Sequence, residues 1–89
     1  MYVVYVLESL NDKKHYIGQT SDVNQRIQEH NQGRVRWTKA HRPWKILYVE
    51  EFENRTSAIK RERFLKSPAG WLESRRIKEG RGFHKVIAS

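Results

Sequence analysis

The sequence predicts a small α/β fold of the α+β type: a three-stranded, mainly antiparallel sheet flanked by helices. Three observations carry this. Three segments read as strands: Tyr2 to Leu7, an unbroken run of β-branched, aromatic and aliphatic residues, then Lys14 to Gln19 and Trp44 to Phe52. Helix-period segments follow Asp22 and Thr56. The resulting order is strand, strand, helix, strand, helix, helix, with no repeat, low-complexity tract or interdomain linker.

The stretch from Tyr2 to Leu7 is an unbroken apolar run, which suits a central strand covered on both faces. Ser9-Leu10-Asn11-Asp12-Lys13 is a turn by composition. It holds no Asn-Gly or Asp-Gly pair, so the connection should exceed the tightest hairpin. A hairpin centred on residues 10 and 11 would set Tyr5 almost opposite Tyr16. Gly18, near the end of the second strand, suggests a bulge or a close approach by another group.

Asp22 begins the first helix, with Gln25 placed for a capping box and Val23 and Ile27 as its apolar stripe. Gln32-Gly33 stops it, the glycine suiting a left-handed cap. A cationic loop runs from Arg34 to Arg42, and Pro43 ends it. In the third strand Ile46, Tyr48 and Glu50 should face one way and Leu47, Val49 and Glu51 the other. The second helix spans about Thr56 to Lys66. Ser67-Pro68 suits the start of a third, with serine as cap, ending near Gly80. Phe83 to Ile87 reads as part of a packed arm over residues 81–89.

A chain of 89 residues points to one domain with a small core. The formal charge of +8 comes from 18 Lys and Arg against 10 Asp and Glu. It predicts attraction to polyanions, nucleic acid ahead of anionic membrane, with plain solubility as the bland alternative. The absence of cysteine excludes disulfides, thiolate chemistry and cysteine-ligated zinc. It fits a reducing interior such as the bacterial cytoplasm. The apolar run at the N-terminus is too short for a membrane span or a normal signal peptide.

Glu62 shares a helical stripe with Ala58 and Leu65, where a charge is costly unless paired or bound to a metal. One carboxylate suffices for magnesium if phosphate and water complete the shell; an internal ion pair with Arg26 is the alternative. Arg26 and His30 rise from one helical face at the edge between core and solvent. An arginine there can grip a phosphate with two donors; a surface arginine and a half-buried histidine are the plain reading. Tyr5 and Tyr16 bring two hydroxyls to one sheet face, or are core aromatics with satisfied hydroxyls. Arg34, Arg36, Trp37, Lys39 and Arg42 form a candidate nucleic-acid surface, extended by Lys14, Lys60, Arg63 and Lys66.

Taken together, these residues resemble the GIY-YIG nuclease domain, in particular its small stand-alone bacterial members with a domain like that at the N-terminus of UvrC. The resemblance covers about residues 2 to 67 and rests on order, spacing and residue type. It runs through Val3-Val4-Tyr5, Tyr16-Ile17-Gly18 followed by Gln19-Thr20, then Arg26, His30, and Glu62 within Ala58-x-x-x-Glu62-x-x-x-Lys66. It implies hydrolysis of DNA phosphodiesters with Mg²⁺ or Mn²⁺ on Glu62 and Arg26 on the phosphate. Tyr5 would be the base toward water, with Tyr16 and His30 assisting; the two tyrosines could exchange roles. One departure is clear: many members carry an asparagine after the glutamate helix, and none lies between Lys66 and Trp71. The expected partner is DNA, branched, flapped or single-stranded, with the protein a monomer or weak homodimer. Two rival expectations are a binding module of the same fold without turnover and a small basic RNA-binding protein.

Overall fold

The computed structural model describes residues 1–80 and the backbone of a strand at 85–88. The elements are β1 (Tyr2–Ser9), β2 (His15–Thr20), α1 (Val23–Asn31), β3 (Trp44–Phe52), α2 (Arg55–Lys66), α3 (Trp71–Lys78) and β4 (Lys85–Ala88). Short 3-10 turns occupy Lys39–His41 and Pro68–Gly70. The strands lie in the order β2-β1-β3-β4. β1 pairs antiparallel with β2 and β3, as expected, and β4 adds to β3 in parallel. The expected arm at 81–89 otherwise lies outside the described residues.

β1 is buried from Val3 to Leu7 because it has a strand on each side and helices on both faces. On one face Val4, Val6, Ile17, Tyr48 and Phe52 pack with Ala58 and Leu65 of α2 and Ile77 of α3. On the other, Val3, Tyr5, Leu7 and Trp44 pack with Val23 and Ile27 of α1. β2, at the edge, is thus the strand around which side chains of α1 and α2 can meet.

The hairpin register differs from expectation. Tyr5 faces Gly18 and Leu7 faces Tyr16, so the centre falls between Asn11 and Asp12. The two tyrosines share a face but are diagonal neighbours. The turn explains this. Ser9 Oγ accepts the amides of Asn11 and Asp12 at 3.1 and 3.2 Å, and Lys13 adopts a left-handed φ of 64°. Alternation along β3 fails at Leu47. The register with β1 shifts there, leaving Leu47 on the Tyr48 side and Ile46 exposed.

Asp22 caps α1 through its side chain, which accepts the Gln25 amide at 3.1 Å. The Gln25 side chain instead reaches Glu29, so half of the capping box forms. Gly33 follows α1 at φ 79°, the left-handed stop its position suggested. α2 starts at Arg55, capped by Asn54. Ser67 closes α2 rather than capping α3: its hydroxyl donates to the Phe64 carbonyl at 2.7 Å, and α3 begins only after the 3-10 turn. Arg61 of α2 ties the layers together, bonding Glu50 of β3 at 2.6 Å and both carboxylate oxygens of Glu73 on α3. No helix among the described residues is long and apolar enough to cross a membrane.

Candidate active site

A buried chain of hydrogen bonds forms the floor. Thr38 Oγ1 donates its one hydrogen to the Val35 carbonyl, 3.2 Å away. It can therefore only accept from His30 Nδ1, at 2.8 Å. His30 Nε2 is then left as a bare acceptor, and the Tyr5 hydroxyl, 3.0 Å away, donates to it. Tyr5 is 1% exposed and His30 and Thr38 are 0% exposed. His30 lies deeper than the edge position expected of it, because Tyr5 and Thr38 satisfy both ring nitrogens. Trp44 Nε1 donates to the Thr38 carbonyl at 2.9 Å and fixes the loop that carries Thr38.

Burial sets the protonation states. The His30 imidazole is pushed down to about 4, chiefly by desolvation and secondarily by the charge of Arg26. The Tyr5 phenol is pushed up to about 12, again chiefly by desolvation, with a hydrogen bond to Arg26 opposing the rise. Arg26 is held more firmly protonated, first by Glu29 and then by Tyr5. Its Nη1 donates to Glu29 Oε1 at 2.9 Å, and its side chain is 36% exposed, so donors remain available.

Tyr16 lies beside this group, its ring 6.2 Å from that of Tyr5 and 4.9 Å from that of His30. Gly18 makes the crowding possible. A Cβ there would sit 2.6 Å from Tyr5 Oη and 3.0 Å from Tyr16 Cε2, so the close approach expected at this glycine comes from the tyrosines.

Glu62 comes from the opposite layer. It sits at the rim of the Ala58–Leu65 stripe, 22% exposed on its side chain, rather than within the core. Its partner is Lys66, with Nζ 2.7 Å from Oε2; the alternative pairing with Arg26 does not form, since Arg26 engages Glu29. Lys66 Nζ also stands 5.9 Å from the centre of the Tyr16 ring, which brings the acid to the β2 edge. The charge of Glu62 is near enough to contribute, as a minor cause, to the raised Tyr5 phenol. The two tyrosines, Arg26, His30 and Glu62 therefore gather around one strand edge.

The donor set limits what metal could bind. No group of three or more His, Cys, Asp or Glu among the described residues could hold an ion. Glu62 offers one hard carboxylate. That fits Mg²⁺ or Mn²⁺ keeping waters and taking phosphate oxygens, and does not fit a closed protein cage. Between Lys66 and Trp71 no amide side chain substitutes for the missing asparagine, and the Ser67 hydroxyl is already engaged.

The loop after α1 reaches the cleft through Trp37. That ring, in a residue 51% exposed, lies 5.9 Å from Tyr16 and 5.2 Å from His41. Arg34, Arg36, Lys39 and Arg42 of the same loop are exposed, as is Lys14 just before β2. Arg63 and Lys66 are exposed on α2. Lys60, two residues before Glu62, projects from nearly the opposite side of that helix. Sequence reasoning missed Thr38 and the Glu29 clamp on Arg26. Thr38 is the sole hydroxyl residue in the basic loop, and Glu29 stands three residues after Arg26; these were the available signals.

The fold and site define an α+β domain with a tyrosine–histidine–arginine cluster on one sheet face and a lone carboxylate arriving at the same edge from the other. The chain belongs to the GIY-YIG family: residues 1–71 match the GIY-YIG catalytic domain. This is a nuclease superfamily that generally uses a divalent metal and acts on nucleic acid. A UPF0213 protein of Listeria welshimeri is 48% identical over 59 residues, covering 65% of this chain and 64% of that relative, just under two thirds of its length. A UPF0213 protein of Staphylococcus aureus is 35% identical over 79 residues, covering 88% of this chain and 95% of that one. The solution NMR structure of a UPF0213 protein from Bacillus halodurans superposes with a TM-score of 0.54 at 26% identity, covering 92% of this chain and 88% of that one.

Proposed function

We propose that this protein is a metal-dependent DNA endonuclease of low sequence specificity, working in a reducing, cytoplasmic interior as a single catalytic domain. The observation that carries the reading is the buried Tyr5–His30–Thr38 chain, which points an unprotonated imidazole nitrogen at a phenol beside an arginine.

Arg26 binds the non-bridging oxygens of the scissile phosphate and gains strength as charge accumulates on them. Losing such a donor typically costs about 3 kcal/mol of transition-state stabilisation. With its phenol near 12, Tyr5 is neutral at rest, so a standing phenolate is not the base. Tyr5 instead accepts a proton from the attacking water while passing its own to His30 Nε2. Thr38 keeps that nitrogen free by holding the other ring proton. Tyr16, half-buried and nearer solvent, orients the water or the phosphate. Glu62 would hold Mg²⁺ or Mn²⁺, whose chemistry when bound is to polarise the phosphate and stabilise the leaving oxyanion.

A second reading has a specific observation behind it. The Lys66 ammonium already neutralises Glu62, and the asparagine is absent, both of which suit a binding module without turnover. Nicking of plasmid, flap and branched DNA in Mg²⁺ or Mn²⁺ separates the two. Glu62→Ala, Arg26→Ala and Tyr5→Phe should each slow nicking about a hundredfold or more. Unaltered nicking in Glu62→Ala would remove the site from the mechanism. Tight binding with no cleavage of any substrate would install the binding module. Stronger binding to structured RNA than to matched DNA at equal salt would install the RNA-binding protein.

A further inference from the structure

Beside the catalytic cleft, between β2 and α3, lies an open groove of about 500 Å³. Its lining includes Tyr16, Trp37, Leu65, Lys66, Trp71 and Lys78. Among the described residues no carboxylate lines it, Glu62 standing behind Lys66. Trp37 and Trp71 are 51% and 59% exposed, a costly placement for two indoles in a small chain. The Arg75 guanidinium stands 5.2 Å from the Trp71 ring centre, while its Nε donates to Glu79 Oε2 at 3.0 Å. Flat aromatic walls beside cations suit a planar ring attached to negative charge, which describes a nucleotide, even with Lys66 paired to Glu62 and Arg75 to Glu79.

The groove adjoins the candidate site at the β2 edge. Tyr16 and Lys66 belong to both, Lys66 bonding Glu62 and standing over the Tyr16 ring. A base seated in the groove would therefore neighbour the phosphate held by Arg26. A base inside a duplex cannot reach such walls, because it is paired and stacked on both faces. We propose that this groove receives an unpaired nucleobase next to the scissile phosphodiester, so that the substrate is single-stranded at that position, as in a flap, a branch or a free strand. The inference rests on the nucleic-acid reading of the cleft.

Binding measured without divalent metal tests it independently of cleavage. The probes are a short oligothymidylate, the same length of strand with abasic sites, and a blunt duplex, all at one salt concentration. The oligothymidylate should bind about tenfold more tightly than the abasic strand and the duplex, and should quench tryptophan fluorescence. Trp71→Ala should weaken the oligothymidylate about ten- to a hundredfold, leave the duplex unchanged and reduce the quench. Trp71→Phe should restore most of the affinity. Equal binding of the intact and abasic strands, or equal loss on strand and duplex in Trp71→Ala, would overturn the groove assignment. Nicking that persists alongside such a result would leave the nuclease reading standing. Trp71-dependent strand binding without nicking would do the reverse.

Discussion

His30 is a neutral ring held between two hydroxyls in a place where an imidazolium is unwelcome. That has a consequence for stability. The native pKa is near 4 against about 6.5 in the unfolded chain, so the unfolded state binds more protons between those values. Stability is therefore full above that window and is lost as pH falls through it. Between pH 7 and pH 5 the loss from His30 should be about 2 kcal/mol. The carboxylates of Glu8, Asp12, Glu29 and Glu73 are held below their ordinary range, so their contributions are lost at still lower pH. Urea unfolding of wild type and His30→Gln at both pH values isolates the effect. The variant should start less stable and show a flatter pH dependence. Equal slopes in the two proteins would mean that His30 titrates freely, and the relay from Tyr5 would lose its acceptor. The pairing of Arg26 and His30 on one face was legible from their i,i+4 spacing. The depth of His30 was not, because its partners stand 25 residues before and 8 residues after it in the chain.

At the scale of elements, the signals that could be read were those made within a segment. The unbroken run at Tyr2 announced the central strand, and Asp22 and Gly33 bracketed α1. What escaped was set between segments. The hairpin register depends on the Ser9 hydroxyl and on a left-handed Lys13, and neither residue type demands that geometry. The irregularity that redirects Leu47 is likewise a product of pairing with β1. Glu62 stood out as a misplaced charge, yet its position at the rim followed from how α2 lies on the sheet. The same helix carries the bridge that holds the layers in place. Glu50 is 6% exposed and Arg61 is the cation bonded to it. Removing the arginine leaves a buried carboxylate uncompensated, which costs about 3–5 kcal/mol. Arg61→Ala should therefore lower Tm by more than roughly 10 °C in thermal unfolding, the scale expected for a domain of this size. A shift of a degree or two would show that water or another cation takes over Glu50, and that the bridge does not set the position of α2 or of Glu62 with it.

For the whole molecule, the charge of +8 matters through its placement. The exposed arginines of the loop after α1 share that loop with Trp37, whose ring lies 5.9 Å from Tyr16 at the β2 edge. Lys60 adds to the total but projects from the other side of α2. Counterion release distinguishes the two, because each phosphate contact adds about 1 to the slope of log K against log salt. Arg34→Ala and Arg36→Ala should each flatten the slope for DNA binding by about 1, equally for every sequence tested, while Lys60→Ala leaves it unchanged. Trp71→Ala should behave differently from all three, lowering affinity for a single strand without altering the slope, since stacking releases no counterions. Fluorescence anisotropy over a range of salt concentrations, without divalent metal, measures both quantities at once. A slope insensitive to Arg34 and Arg36 but reduced by Lys60→Ala would place the nucleic acid on the far side of α2, away from Tyr5, Arg26 and the groove alike.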